Sequence, residues 1–541
     1  MDRGEALVER VRRGVVGDDQ VLTGPFGPRR VTYADWTASG RALGFVEDAI
    51  RDQVLPWYAN THTESSGTGR HTTRLREQAR QVIHQAVGGT GQDLVIFCGS
   101  GATAAVAKLV GLLELGRRAA GPGPRPLVLV GPFEHHSNLL PWRESAAEVV
   151  AVGEDADGRL DLADLEAQLA RQTGRPLVVG AFSAASNVTG IRTDADRVAA
   201  LLHRHGALSV WDYSAAAPYL PIRMAESRPG AGDHKDAVFF SPHKLVGGPQ
   251  TPGVLVVRRG LARNRVPTVP GGGTVTFVDP VGQRYLDDPV GREEGGTPGI
   301  VESIRAGLVV ALKQAVGTDL IQEREQRFLG LALDRWRANP NLELLGNLEV
   351  PRLPIVSFRI RHGHRYLHHE LVVAMLDDLF GIQARGGCSC AGPYGHRLLG
   401  IGPGRSRALD EQAGQGYLGI KPGWVRLSFN YFISDTVAGF LVEAVDLLAR
   451  HGHRLLGEYT FDPRGGHWRH HLAPPDPAPS LAALLDGHPG PPPGPGEDAL
   501  AGYLDTARAL LADRPVTGEG PSWLPPELER LRDFSLPPLP A

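Results

Sequence analysis

"DAVFFSPHKLVGGPQTPGVLVVRR", residues 236–259, places one unbroken apolar run, a polar turn and a second apolar run in succession. The runs Ala237–Phe240 and Val254–Val257 do not alternate with polar residues, so each reads as a strand covered on both faces. Gly and Pro crowd the connection and bend the chain there. Lys244 stands in that turn, just past the first strand, among small and apolar neighbours. Lysine is rarely buried, so this one needs a reason to be there.

The same kind of run recurs in "PLVLVGP" (126–132), "PLVVGAFSA" (176–184) and "ALSVWDYSA" (207–215). Helical stretches separate the runs; in "ATAAVAKLVGLLELG" (102–116), Val106, Leu109, Val110 and Leu113 share a face. Strand–helix alternation across residues 31–330 predicts an α/β domain: a mostly parallel central sheet with helices on both faces. Residues 331–460 predict a smaller α+β domain, from "LPIVSFRI" (353–360), "HHELVVAMLDDLF" (368–380), "GWVRLSFN" (423–430) and "TVAGFLVEAVDLLARHG" (436–452). Residues 1–30 are expected to form a short helix and a Gly/Pro loop packing on that smaller domain. Residues 461–541 form a Pro-rich extension. There "APPDPAPS" (473–480) and "HPGPPPGPGE" (488–497) predict stiff linkers around a helix over 497–514.

Composition excludes several functions. Of 541 residues, 42% are hydrophobic and 22% charged, and the formal net charge of -3 gives no basic field for nucleic acid or anionic membrane. No apolar run is long enough to span a bilayer, and "MDRGEALVERVRRG" has no apolar core of a secretory signal. Three cysteines cannot make a disulfide framework, so a reducing cytoplasm is the expected compartment.

Around Lys244, other segments end strands in chemically useful residues. An amine in an apolar pocket has a lowered pKa and condenses with an aldehyde, here that of pyridoxal 5'-phosphate (PLP). "FCGSGATAAVAK" (97–108) offers backbone N–H groups and a positive helix end to a phosphate, although such turns are also common helix caps. Asp212 of "SVWDYSA" suits a protonated pyridine nitrogen, or simply a helix cap. His135 of "GPFEHHSNLLPW" (131–142) offers a flat ring for stacking. "QARGGCSCAGPYGH" (383–396) carries Cys388 and Cys390. Without a second cysteine pair nearby they predict no metal site, and a polar glycine-rich loop suits a reactive thiol better than a core one.

In their order along the chain, "SGAT", "EHHSN", "SNVTG", "WDYSA", "SPHK", "GGTPG" and "RGGCSCAGP" resemble the class V aminotransferase superfamily of fold-type I PLP enzymes. Its cysteine desulfurase/selenocysteine lyase branch is the most similar. The resemblance runs from about residue 31 to 450. It implies that Lys244 holds PLP, His135 stacks on its ring, Asp212 pairs with the pyridine nitrogen and Asn187 approaches the phenolic oxygen. Gly101, Ala102, Thr103, Ser241 and His243 would hold the phosphate. Thr297 would reach it from a second subunit, which implies a homodimer with shared sites. Cys390 would be the nucleophile, with Arg385 at the start of its loop and Arg426 receiving the substrate carboxylate. The implied activity removes sulfur from L-cysteine, leaving alanine and a Cys390 persulfide for a sulfur-acceptor protein. Elimination by a PLP-dependent C–S lyase, transamination, and a non-catalytic sulfur-delivery scaffold are the alternatives. The sequence departs from the family at Ala215, where a glutamine is usual, and at Cys388, often a histidine.

Overall fold

The computed structural model describes residues 3–61, 63–116, 123–172, 174–475, 480–486, 493–516, 519 and 521–537. The chain divides into two units, one formed by residues 1–15, 37–324 and 347–353, the other by 16–36, 325–346 and 354–541.

The first unit is built on a seven-stranded sheet. Its strands are β1 (Asp93–Cys98), β2 (Leu127–Val130), β3 (Glu148–Ala151), β4 (Val178–Ser183), β5 (Leu208–Asp212), β6 (Ala237–Phe240) and β7 (Gly253–Arg258). They lie in the order β1-β7-β6-β5-β4-β2-β3, all parallel except β7, which runs against both neighbours. The apolar runs predicted as doubly covered strands are buried nearly throughout, whereas β3, at the sheet's edge, is not. Every parallel strand therefore ends at one rim. Among the surrounding helices are α1 (Arg3–Gly14), α2 (Gly67–Ala86), α3 (Gly101–Leu112) and α4 (Ile300–Val316). On α3, Val106 and Leu109 are fully buried, and Val110 and Leu113 pack against the same core.

The segment 1–30 does not pack as one piece on the smaller domain. Val8 and Val11 give α1 an apolar stripe that packs on α4 in the first unit. Glu5 pairs with Arg324 there at 3.3 Å. Residues 16–36 belong to the second unit instead.

The second unit carries an antiparallel sheet of β8 (Leu342–Leu344), β9 (Ile355–His362), β10 (Arg385–Gly387) and β11 (Trp424–Ser428), ordered β8-β9-β11-β10. Its helices include α5 (His369–Phe380), α6 (Gly392–Leu398), α7 (Pro403–Gly414), α8 (Asp435–His451) and α9 (Ala499–Asp513). Much of the C-terminal extension is part of this core. The hairpin Tyr459–Phe461/Trp468–His470 buries Phe461 and Trp468, and Phe534 lies edge-on to His368 with ring centroids 4.5 Å apart. Arg508 of α9 pairs with Glu443 of α8 at 2.9 Å, and Arg454 donates to the Leu511 and Ala512 carbonyls at the end of α9. Of the predicted proline linkers, residues 476–479 and 488–492 lie outside the described residues. Among the described residues no helix is long and apolar enough to cross a membrane.

Candidate active site

At the rim of the first unit, sheet register sets the residues side by side: Ser183 opposite Asp212, Asp212 opposite Phe239, and Gly253 opposite Cys98. Past β6 the chain tightens into a 3-10 turn, Pro242–Lys244, in which the Lys244 amide donates to the Ser241 carbonyl at 3.1 Å. The Gly40 amide fastens this turn by donating to the His243 carbonyl at 2.8 Å. Lys244 is half-buried there.

The turn before α3 meets the Lys244 turn directly. The Ala102 amide donates to Ser241 Oγ at 2.8 Å. Gly101 has φ +56°, and a Cβ there would stand 2.7 Å from Ser241 Oγ and 3.2 Å from His243 Cε1. Only glycine accommodates both the left-handed backbone and that approach. Thr103 is exposed and shares a 2.6 Å hydrogen bond with Ser137 Oγ. His135 accepts the Ser137 amide on Nδ1 at 3.0 Å, which fixes the ring's orientation. Asn187 is buried on the loop after β4.

Electrostatics at the rim follow from burial. Burial raises the Asp212 pKa, the Ser214 amide donates to Oδ1 at 2.7 Å, and the charge of Lys244 pulls it back down. His243 is pushed down to about 4 by burial and by Lys244, so its imidazole is neutral. Glu134, which the sequence reading gave no role, is enclosed beside these groups. Its carboxyl accepts from the Ser183 amide (2.9 Å), Ser183 Oγ (2.6 Å) and Asn138 Nδ2 (2.6 Å). Burial lifts its pKa to about 7, and the charge of Asp212 adds to the rise. Thr297 is exposed and accepts from Asn60 Nδ2 of its own chain at 3.2 Å.

The second unit gathers the other expected residues. Asp35 accepts from Arg426 Nη2 on Oδ1 (2.7 Å) and from Arg385 Nε on Oδ2 (2.9 Å). One carboxylate thus holds both arginines, and Arg426 is buried. Nothing in the sequence pointed to Asp35. Downstream of β10 both Cys388 and Cys390 are exposed, whereas Cys98 is buried, its thiol pushed up to about 12. The polar glycine-rich loop is a defined turn. The Ala391 amide donates to the Cys388 carbonyl at 3.1 Å, and Ser389 and Cys390 have φ of 50° and 55°. Positive φ at both central residues marks a type I′ turn, a conformation that non-glycine residues adopt at a cost.

At the opposite rim of the first sheet, His203, His234 and Asp236 bring three ligand-type atoms within 4.8 Å of one another. His203 Nδ1 donates to the Gly232 carbonyl and Nε2 to Asp236 Oδ2 at 2.9 Å. Burial alone would lower its pKa, but these hydrogen bonds outweigh it and raise it. The pattern is that of a protonated ring paired with a carboxylate.

Comparison with known proteins agrees with this arrangement of elements. The chain matches the aminotransferase class-V family over residues 32–434 and belongs to it; it is an enzyme of that family. It is 29% identical over 367 residues to a probable cysteine desulfurase of Halalkalibacterium halodurans, covering 67% of this chain and 84% of that one. A probable cysteine desulfurase of Staphylococcus aureus is 27% identical over 383 residues, or 70% and 87% of the two chains. In fold, the chain is similar to a cysteine desulfurase from Thermococcus onnurineus, with TM-score 0.65, 23% identity, and 82% and 98% of the chains covered. A second such structure, from Escherichia coli, has TM-score 0.62 at 23% identity, covering 81% and 97%.

Proposed function

We propose that the chain is a PLP-dependent cysteine desulfurase that forms a persulfide on Cys390. The observation that carries this reading is the rim of the first unit, where Lys244 and the buried Asp212 interact beside a glycine turn cradled by Ser241 and His243. The residues fit the cofactor. Gly101 lets the turn before α3 close on Ser241 and His243, so both side chains stand beside the helix end whose N–H groups and positive dipole suit a phosphate. A carboxyl buried as Asp212 is gains its charge cheaply only when a cation such as a pyridinium stands against it. Thr103, Ser241 and His243 would hold the phosphate, Lys244 the aldehyde carbon and His135 the ring face. Asn187 would take the phenolic oxygen, with Ala215 unable to share that contact. When bound, PLP supplies an aldehyde that condenses with amines and a ring that accepts the electron pair left at Cα.

The chain's own residues do the rest. Arg426 receives the substrate carboxylate through its planar fork, and Asp35, holding Nη2, fixes the plane of that fork. The Lys244 amine accepts the Cα proton. The Cys390 thiolate attacks the substrate sulfur, and the C–S bond breaks to leave alanine and the persulfide. An exposed thiol at the head of a fixed turn suits both that attack and a later hand-over. Thr297 from a second copy completes the phosphate site in this reading, and the compartment is the cytoplasm.

Product analysis tests the reading. Cys390→Ala supplied with L-cysteine is expected to lose alanine formation at least a hundredfold. Sulfide and pyruvate released at the wild-type rate would replace the persulfide route with elimination.

A further inference from the structure

Cys388 and Cys390 flank a buried residue, Ser389, and are themselves both exposed on one turn. Being the first and third residues of that turn, their Cα atoms are at most roughly 7 Å apart. That is close to the span at which two cysteine sulfurs can react with each other. Cys388, and not Cys390, lines a cavity of about 410 Å³ in the second unit. Leu409 and Trp424 give the cavity an apolar wall, and Arg407, Asp410 and Lys421 give it charges of both signs. This volume is in the range that holds small organic ligands. Mixed charges beside an apolar wall suit a compact molecule that carries both carboxylate and ammonium groups.

We propose that Cys388 is a relay thiol that takes sulfur from the Cys390 persulfide and passes it to a small carboxylate-bearing thiol seated in this cavity. The inference rests on the persulfide reading above and names the acceptor class for it. In the first step the Cys388 thiolate attacks the outer sulfur of the Cys390 persulfide. A new S–S bond forms, the old one breaks, and Cys390 leaves as a thiolate and takes up the proton that Cys388 gave. The thiolate of the small acceptor then attacks the outer sulfur now on Cys388. That step restores the Cys388 thiol and leaves the acceptor as a persulfide. Electrons balance in both exchanges, and no oxidant or reductant is consumed.

The test uses the full-length holoenzyme, L-cysteine for one turnover, and glutathione as the probe thiol. Two quantities are read: sulfur delivered to glutathione per persulfide formed, and the position of the extra sulfur in fragment spectra of the alkylated 385–397 peptide. In the wild-type enzyme the extra sulfur is expected on both cysteines before glutathione is added. In Cys388→Ser the delivery ratio is expected to fall at least tenfold. Ala413→Trp, which fills the cavity from α7, is expected to raise the KM for glutathione at least tenfold. A wild-type delivery ratio in Cys388→Ser, or extra sulfur found on Cys390 alone, overturns the relay. An unchanged KM in Ala413→Trp overturns the seat of the acceptor. If Cys390→Ser still accumulates protein-bound sulfur on turnover, the persulfide reading itself fails, which is a different result from either of these.

Discussion

Glu134 shows how a single carboxyl can shape the pH response of the fold. Enclosed by Ser183 and Asn138, it has a pKa of about 7. In the unfolded chain it would ionise near the ordinary carboxyl value. Below that value the group leaves stability unaffected. As pH rises toward 7, the unfolded state releases the proton more readily, so stability falls by on the order of 3 kcal/mol and then levels off. Glu134→Gln is expected to remove most of that slope. Urea midpoints at about pH 5 and about pH 7 should then converge relative to wild type; parallel pH profiles would contradict this role. The sequence concealed this residue and Asp35 for the same reason. Each owes its role to partners that only the fold brings near, 49 residues away for Ser183 and 391 for Arg426.

The glycine turn into α3 and the turn holding Lys244 lock together as a pair. A side chain on Gly101 would force Ser241 Oγ off the Ala102 amide and hold a non-glycine residue at φ +56°. Gly101→Ala should lose about 1–2 kcal/mol from backbone strain alone. It should also bind PLP at least tenfold more weakly, as read by equilibrium dialysis. Unchanged affinity would remove this turn from the phosphate site. The strands around these turns were legible because runs buried on both faces leave an unbroken apolar signature. Glu148–Ala151 lacked that signature because it closes the sheet at an exposed edge. The type I′ turn was illegible because Ser389 and Cys390 occupy positions where glycine or asparagine would have announced it. In the C-terminal extension, proline dominated the composition. The residues that dock it, Phe461, Trp468 and Phe534, are scattered, and the two strands that carry the first pair are only three residues long.

The first unit leaves large apolar side chains exposed around one hairpin. The hairpin Val275–Val278/Gln283–Tyr285 and its flanks expose Phe277 (63%), Val269 (66%) and Val281 (95%). The Thr297 loop is tied to the same region, with the Gly296 amide donating to the Gly272 carbonyl at 2.8 Å. Monomers rarely keep so many large apolar groups in water without using them. Light scattering is expected to show a dimer, and Phe277→Asp to weaken both the dimer and PLP retention, because Thr297 would be supplied by the other copy. A fully active monomer would contradict this. Everything proposed for the molecule depends on Lys244 as the residue that binds the aldehyde. The most direct measurement adds PLP to the purified protein, fixes the adduct with borohydride and maps the labelled peptide. A single label on Lys244 is expected, and a colourless, unlabelled Lys244→Ala protein. A label on another lysine, or a wild-type visible band in Lys244→Ala, would contradict it.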